Sequence, residues 1–271
     1  MIRPLQACAL ALSLSAIPSL HAATFTAYAE NHLDQAPQAT PPNLIATFTA
    51  TTINWNWSSN FANAVNTLGI TAVDGLAHPV AMANPLTAFS LVSMTVDGPD
   101  ETGKLSVLSE QLSGSIRFTS QAGPLAASSA TLSLSDLRID HQSNQVFARL
   151  SDASGNAIAS DIAVFQFDDT PHVLPPGSYT PVLTCVPTNP QCIARLDAAS
   201  SHPSLNNLQF TSQGRTLWNQ TFQLQPIGTM VMDSVSNLGS LSAAPVPEPA
   251  SWALMGIGLV GIGLTRRKLA R

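Results

Sequence analysis

The chain has 271 residues, of which 45% are hydrophobic and only 10% charged, against about 25% charged in an average soluble domain. With 11 Lys+Arg against 16 Asp+Glu the net charge is −5, which argues against a basic nucleic-acid reader. The length suits one or two domains, and the charge is uneven: between residues 23 and 247 six basic side chains face fifteen acidic ones, a net of −9.

In chain order, Met1-Ile2-Arg3 precedes an apolar run from Leu5 to Leu20 and a small-residue exit at Ala22-Ala23. A basic start, a short apolar core and small residues predict a secretory signal peptide over 1–22. Such a leader implies passage through the Sec translocon and cleavage by signal peptidase. Cys8 leaves with it.

Residues 23–235 read as one β-rich secreted domain. Period-two alternation marks strands at Leu44–Thr51, Thr87–Val96, Lys104–Ser109, Leu112–Thr119, Ala130–Ile139, Gln145–Leu150 and Ala157–Phe167. The step from Leu134 to Leu137 breaks the alternation and predicts a bulge near Ser135-Asp136. Two stretches read as short helices: Asn54–Leu68, ending at Gly69, and Gly214–Leu224. Each carries an aromatic stripe that suits the covering of one side of a sheet. The spacing of strands and turns predicts a mainly β fold, an antiparallel sandwich or open barrel with one or two short helices. Ala36–Pro42 reads as a loop, and the Ser/Ala/Gly-rich segment 236–245 as a linker.

Cys185 and Cys192 are the even pair that remains after leader removal. An exported chain meets an oxidising compartment, so the pair reads as a disulfide. The closed loop constrains the unfolded chain by about 2–3 kcal/mol.

The chemistry-bearing residues point to no catalytic arrangement. The sequence holds no Gly-x-Ser-x-Gly, His-Glu-x-x-His, Walker or dinucleotide-binding motif. His32, His78, His141, His172 and His202 read as solvated turn residues. Asp97-Gly98-Pro99-Asp100-Glu101 and Asp168-Asp169 read as turns and strand ends, where Asp favours local hydrogen bonds; calcium at the former is the alternative. No catalytic residue, metal ligand or cofactor is predicted.

The last segment runs Val246-Pro247-Glu248-Pro249, then an apolar, Gly-rich stretch over 250–265, then Arg266-Arg267-Lys268. The stretch predicts a transmembrane helix, slightly short of the ~20 residues that cross a bilayer squarely, with the basic cluster on the cytoplasmic side. This tail, 246–271, resembles the PEP-CTERM sorting signal of Gram-negative bacteria. The resemblance implies recognition and cutting by an exosortase, a membrane-embedded cysteine transpeptidase. Val246, Pro247, Glu248 and Pro249 are then the sorting motif, Trp252–Leu264 the transient anchor, and Arg266, Arg267 and Lys268 the membrane stop signal. The protein passes through the inner membrane and reaches the cell surface or extracellular matrix.

A fainter resemblance, on Leu112–Thr119, Leu132–Ile139 and Trp57–Phe61, is to secreted haem-binding domains of the HtaA type. That family's ligating tyrosine falls near Ala64 or Val65 here and its histidine near Gln121, so haem binding does not carry over. The expectation is an exported, non-enzymatic surface or matrix protein, associated with exopolysaccharide or biofilm. The alternative is a secreted module for carbohydrate or haem, with Trp55, Trp57 or Trp218 lining a cleft.

Overall fold

A computed structural model describes residues 24–35, 44–74, 86–98, 100–182, 192–196 and 202–244. The signal peptide, the 36–42 loop, His78, Cys185 and the tail 246–271 lie outside the described residues. Among the described residues no helix is long and apolar enough to cross a membrane.

The described strands are β1 (Phe25–Ala29), β2 (Leu44–Phe48), β3 (Thr51–Trp57), β4 (Ile70–Asp74), β5 (Leu86–Asp97), β6 (Leu105–Ser113), β7 (Ser115–Ser120), β8 (Ala130–Asp140), β9 (Gln145–Ser151), β10 (Ala157–Gln166), β11 (His172–Leu174), β12 (Tyr179–Val182), β13 (Cys192–Leu196), β14 (Leu205–Phe210) and β15 (Gly239–Ala243). Helix α1 (Ser59–Thr67) follows β3, while α2 (Ser212–Thr221) and α3 (Pro226–Asp233) lie between β14 and β15.

Eight of the strands form a ring. The order β6-β8-β9-β10-β14-β15-β3-β5 is antiparallel at every step, and pairing of β5 with β6 closes it. Closure removes the exposed edges of an open sheet. An eight-stranded ring is just wide enough for side chains to fill its inside. The expectation of an open barrel is corrected at this point. Purely antiparallel pairing is also corrected, because β2 pairs in parallel with both β1 and β13, on a flap that extends from β5. The segment 236–245 is not a linker: β15 sits within it and bridges β14 to β3.

Alternation explains which face is filled. In β3, Thr51, Ile53, Trp55 and Trp57 are buried while Thr52 and Asn56 are exposed. In β8 the buried series Leu132, Leu134 changes phase to Leu137, Ile139. The register shifts there against β9, between Ser135 and Arg138, and Asp136 takes φ 51°. This is the predicted bulge.

Helices α1 and α2 start from hydroxyl caps. Ser58 Oγ accepts from the Phe61 amide at 3.0 Å, and Thr211 Oγ1 accepts from the Gly214 amide at 2.9 Å. Such caps contribute about 1 kcal/mol each. The first predicted helix began too early, because Asn54–Trp57 belongs to β3. Both helices turn an aromatic residue, Phe61 and Trp218, into one cluster with Trp55, Trp57, Phe118, Phe165, Phe210 and Phe222.

Candidate functional site

The site begins with an irregularity in β6. Leu105 and Val107 are buried on one phase of the alternation, and Glu110 and Leu112 on the other. Opposite β5 the register runs from Thr95↔Ser109 to Val96↔Val107, so Leu108 is the extra residue of a bulge. The phase change turns Glu110 inward. The carbonyl of Leu108 accepts the backbone N–H of His141 at 2.9 Å, which fixes the turn after β8 against the bulge. One defect thus positions two side chains.

The other two arrive from different elements. His172 opens β11 opposite Val107, with His172 and Leu174 buried and Val173 exposed between them. His202 precedes β14. Its Nδ1 lies 2.8 Å from the carbonyl oxygen of Pro203 and donates to it.

Glu110 Oε1 is 2.8 Å from His172 Nδ1, and Glu110 Oε2 is 2.9 Å from His202 Nε2. His141 Nε2 stands 3.7 Å from Oε2, outside hydrogen-bond reach. The side chains of Glu110 and His172 have no exposed area, and those of His202 and His141 have 1% and 3%. Among the described residues, neither ring nitrogen of His141, nor Nε2 of His172, has a hydrogen-bond partner. His141 also packs edge-on against Phe167, with ring centroids 6.0 Å apart.

The electrostatics follow from burial and pairing. Burial alone would raise the Glu110 carboxyl. The charge of His202 and the surrounding imidazole N–H groups outweigh it and hold the group well below the usual carboxylate range. Burial pushes His172 down despite its hydrogen bond to Glu110, so its ring is neutral. For His202 burial also acts downward, but the Glu110 carboxylate overcomes it and the imidazole is raised. His202 faces an acceptor at each ring nitrogen, the Pro203 carbonyl and the ionised Glu110 carboxylate, which favours its protonated form, while burial favours neutral His172. An ionised carboxylate only accepts, so His172 carries its proton on Nδ1.

These shifts set the pH dependence of stability for the chain kept in chelator. Glu110 has a depressed folded value, so its contribution is present above 4.5 and lost as pH falls through that folded value. His172 contributes fully above 6.5 and loses its contribution as pH falls below that value. His202 contributes fully below 6.5 and loses its contribution as pH rises through its raised folded value. Above 6.5 the His172 contribution is complete and only that of His202 changes, so stability falls as pH rises toward its raised folded value. Depressed Asp100, Asp140 and Asp152 deepen the fall on the acid side. Thermal melts from about pH 4 to about pH 9 check this; a Tm still rising above neutrality contradicts it.

The reading of the histidines as solvated turn residues is therefore corrected for His141, His172 and His202, which meet on one carboxylate. His32 lies half-buried in a short 3-10 turn, Glu30–Gln35, and has no place in the donor set of Glu110, His172 and His202. The acidic turns stay apart. Asp100 Oδ1 accepts from the amides of Thr102 and Lys104 at 2.8 and 2.9 Å, and Asp168 takes the Asn207 amide at 3.1 Å. Both are local or loop-bracing bonds, as the sequence suggested. Trp55, Trp57 and Trp218 are 1%, 7% and 1% exposed and belong to the core. They do not line a cleft, so the expectation of a tryptophan-lined cleft for a carbohydrate or haem module is corrected. At the two haem-ligand positions, Ala64 and Val65 are buried in α1 and Gln121 is exposed.

The fold and the site define a closed β barrel with a sealed carboxylate–imidazole cluster. Donor atoms of Glu110, His172 and His202 all lie within 4.8 Å of one another, a set able to hold a metal ion. Residues 245–268 match the PEP-CTERM protein-sorting motif. The chain thus carries the address of an exosortase substrate, sorted to the cell envelope or surface of Gram-negative bacteria. No curated protein and no solved structure matches the chain.

Proposed function

We propose that this chain is a non-enzymatic protein of the cell surface or extracellular matrix, trimmed at both ends and held among exopolysaccharide. The match of 245–268 to the sorting motif carries the reading. Support comes from the N-terminal leader pattern and from the low-charge, Ser/Thr-rich strands, which suit a polysaccharide layer. The sealing of the titratable cluster also favours it, since an organic substrate needs a path to the reacting groups. In the mature chain we place a Cys185–Cys192 disulfide, consistent with an oxidising compartment.

The test is intact mass of the protein recovered by fraction from its native host. The expected species starts near Ala23, ends near Pro247 and lies in the matrix or outer surface. Replacing Pro247, Glu248 and Pro249 by alanine is expected to leave a species ending at Arg271 in the inner membrane. Arg271 retained by the unaltered chain in that membrane would overturn the reading, and the tail would then be a plain anchor.

A further inference from the structure

We propose that Glu110, His172 and His202 form a binding site for one divalent transition-metal ion, zinc being the reference ion, with His141 beside its remaining coordination position. This goes beyond the surface-protein reading and does not depend on it.

The donor set decides the class of ion. Two imidazole nitrogens and one carboxylate oxygen suit zinc and its first-row neighbours, whereas calcium and magnesium take oxygen ligands. The geometry fits. Zinc holds nitrogen and oxygen ligands at about 2.0–2.2 Å, so tetrahedral donors stand roughly 3.3 Å apart. Glu110 meets His172 Nδ1 through Oε1 at 2.8 Å and His202 Nε2 through Oε2 at 2.9 Å, and donor atoms of all three lie within 4.8 Å of one another, so small shifts of these side chains bring three donors to the spacing that the ion needs. The outer partner is also present. Pro203 accepts the Nδ1 proton of His202 at 2.8 Å and so aims Nε2 at the site, the usual second contact of a ligating histidine.

A second observation is independent of these contacts. Both ring nitrogens of His141 are buried without a hydrogen-bond partner among the described residues, and Nε2 stands 3.7 Å from Glu110. An unpartnered imidazole in a barrel core is costly. A fourth bond from Nε2 to the ion, or to a water on it, removes that cost at one of the two nitrogens.

The proton balance is simple. Loading replaces the Nε2 proton of His202 by the ion. The His172 proton moves from Nδ1 to Nε2, leaving Nδ1 to ligate. One proton is released per ion. With ligand side chains 0–1% exposed, the ion enters as the chain folds rather than by diffusing into a finished barrel.

The experiment uses the full chain, unfolded in denaturant with chelator and refolded with zinc, with cobalt(II), or with neither. After desalting, about one zinc per chain is expected, resistant to chelator until the chain unfolds. The Tm of the zinc-refolded chain is expected to rise by roughly 8–16 °C for an ion present at a thousandfold excess over its Kd. The cobalt form is expected to show visible ligand-field bands of a four-coordinate site. His172→Gln and His202→Gln are expected to weaken binding about 100-fold or more, whereas His32→Gln leaves it unchanged. If the two site variants do not fold, the X-ray absorption spectrum of the zinc-refolded wild-type chain reads the ligands directly, and two imidazoles are expected. Substoichiometric zinc with an unchanged Tm overturns the proposal. So does undiminished binding by folded His172→Gln and His202→Gln, or a spectrum without imidazole ligands.

Discussion

Glu110→Ala is expected to lower stability by about 3–5 kcal/mol in chelator, the cost of breaking a buried ion pair from one side. For a domain of this size that is a fall in Tm of roughly 6–20 °C. Three losses combine. The alanine removes the counter-ion of His202, whose raised affinity for protons derives from Glu110. It also leaves His172 Nδ1 without its acceptor, and Nε2 of that ring is already unpartnered. Finally it opens a void beside Leu112 and Ile139, both fully buried. Glu110→Gln separates charge from shape. The amide keeps an oxygen and fills the space, but it cannot hold His202 protonated, so an intermediate loss is expected. The decisive comparison is the triple replacement of Glu110, His172 and His202 by leucine. Apolar replacement of a whole buried ionic group is often neutral or stabilising, so most of the stability lost in Glu110→Ala is expected to return. Chemical denaturation of the variants checks the order. If Glu110→Ala unfolds at the wild-type midpoint, the cluster is solvated and the account of its electrostatics fails.

That expected recovery separates two roles for the cluster. A group of side chains that leucine can replace without loss is not there for stability, and a sealed core is a costly place for a carboxylate. What the polar set does and leucine cannot do is present nitrogen and oxygen donors at one point. Stability and metal binding are thus read from the same variants with opposite outcomes: the triple leucine chain folds but binds no zinc.

The cluster was legible in part. Glu110 stands two residues from Leu112, His141 two from Ile139, and His172 two from Leu174, so period-two alternation alone puts each on a buried face. Reading strands as ending at Ser109 and His141 as a turn residue hid this. The missing piece was the bulge at Leu108, whose extra residue lets β6 run on past Ser109 to Ser113 and turns Glu110 inward. No local pattern marks it. That His172 and His202 then converge on a residue 62 and 92 positions earlier is a property of long-range chain topology, in which β11 pairs with β6 and His202 leads into β14, and which sequence periodicity does not encode. Locally determined features fared better. The Ser135-Asp136 bulge shows in a broken alternation, and the ends of β5, β8 and β9 follow Gly and Asn turns. Strand β15 escaped because Gly-Ser-Leu-Ser-Ala has the composition of a linker. Its place in the ring comes from Trp57 and Leu205 on either side, not from its own propensity. Gly239 shows the same dependence: at φ 133° it lies so close to the Asn56 carbonyl that no Cβ fits. A glycine that read as flexibility is a point of close packing.

Phe61→Ala is expected to destabilise the chain by about 3–5 kcal/mol, the range for truncating a core aromatic. Phe61 is fully buried and contacts five other aromatic rings. Trp55 lies stacked at 6.0 Å and Trp57 tilted at 5.3 Å, both from β3. Phe118 of β7, Phe210 of β14 and Trp218 of α2 surround it at 6.3, 6.4 and 6.1 Å. One ring therefore links two strands of the closed barrel, the β7 extension and both N-capped helices. The large rings around it cannot collapse into the space together, so a cavity term adds to the lost transfer energy. The capping of α1 raises the consequence, because Ser58 holds the Phe61 amide while its hydroxyl donates to the Asn237 carbonyl at 2.5 Å. Loosening α1 thus also loosens the approach to β15, the strand that completes the ring between β14 and β3. Phe61→Leu keeps most of the volume and is expected to cost less than half as much. Denaturant midpoints of the two variants, with near-UV circular dichroism of the tryptophans, make the test. Equal midpoints for Phe61→Ala and wild type would show that the aromatic cluster does not hold the barrel closed. A near-UV spectrum lost while the far-UV strand signal remains would show that this cluster fixes side-chain packing rather than the strand ring itself.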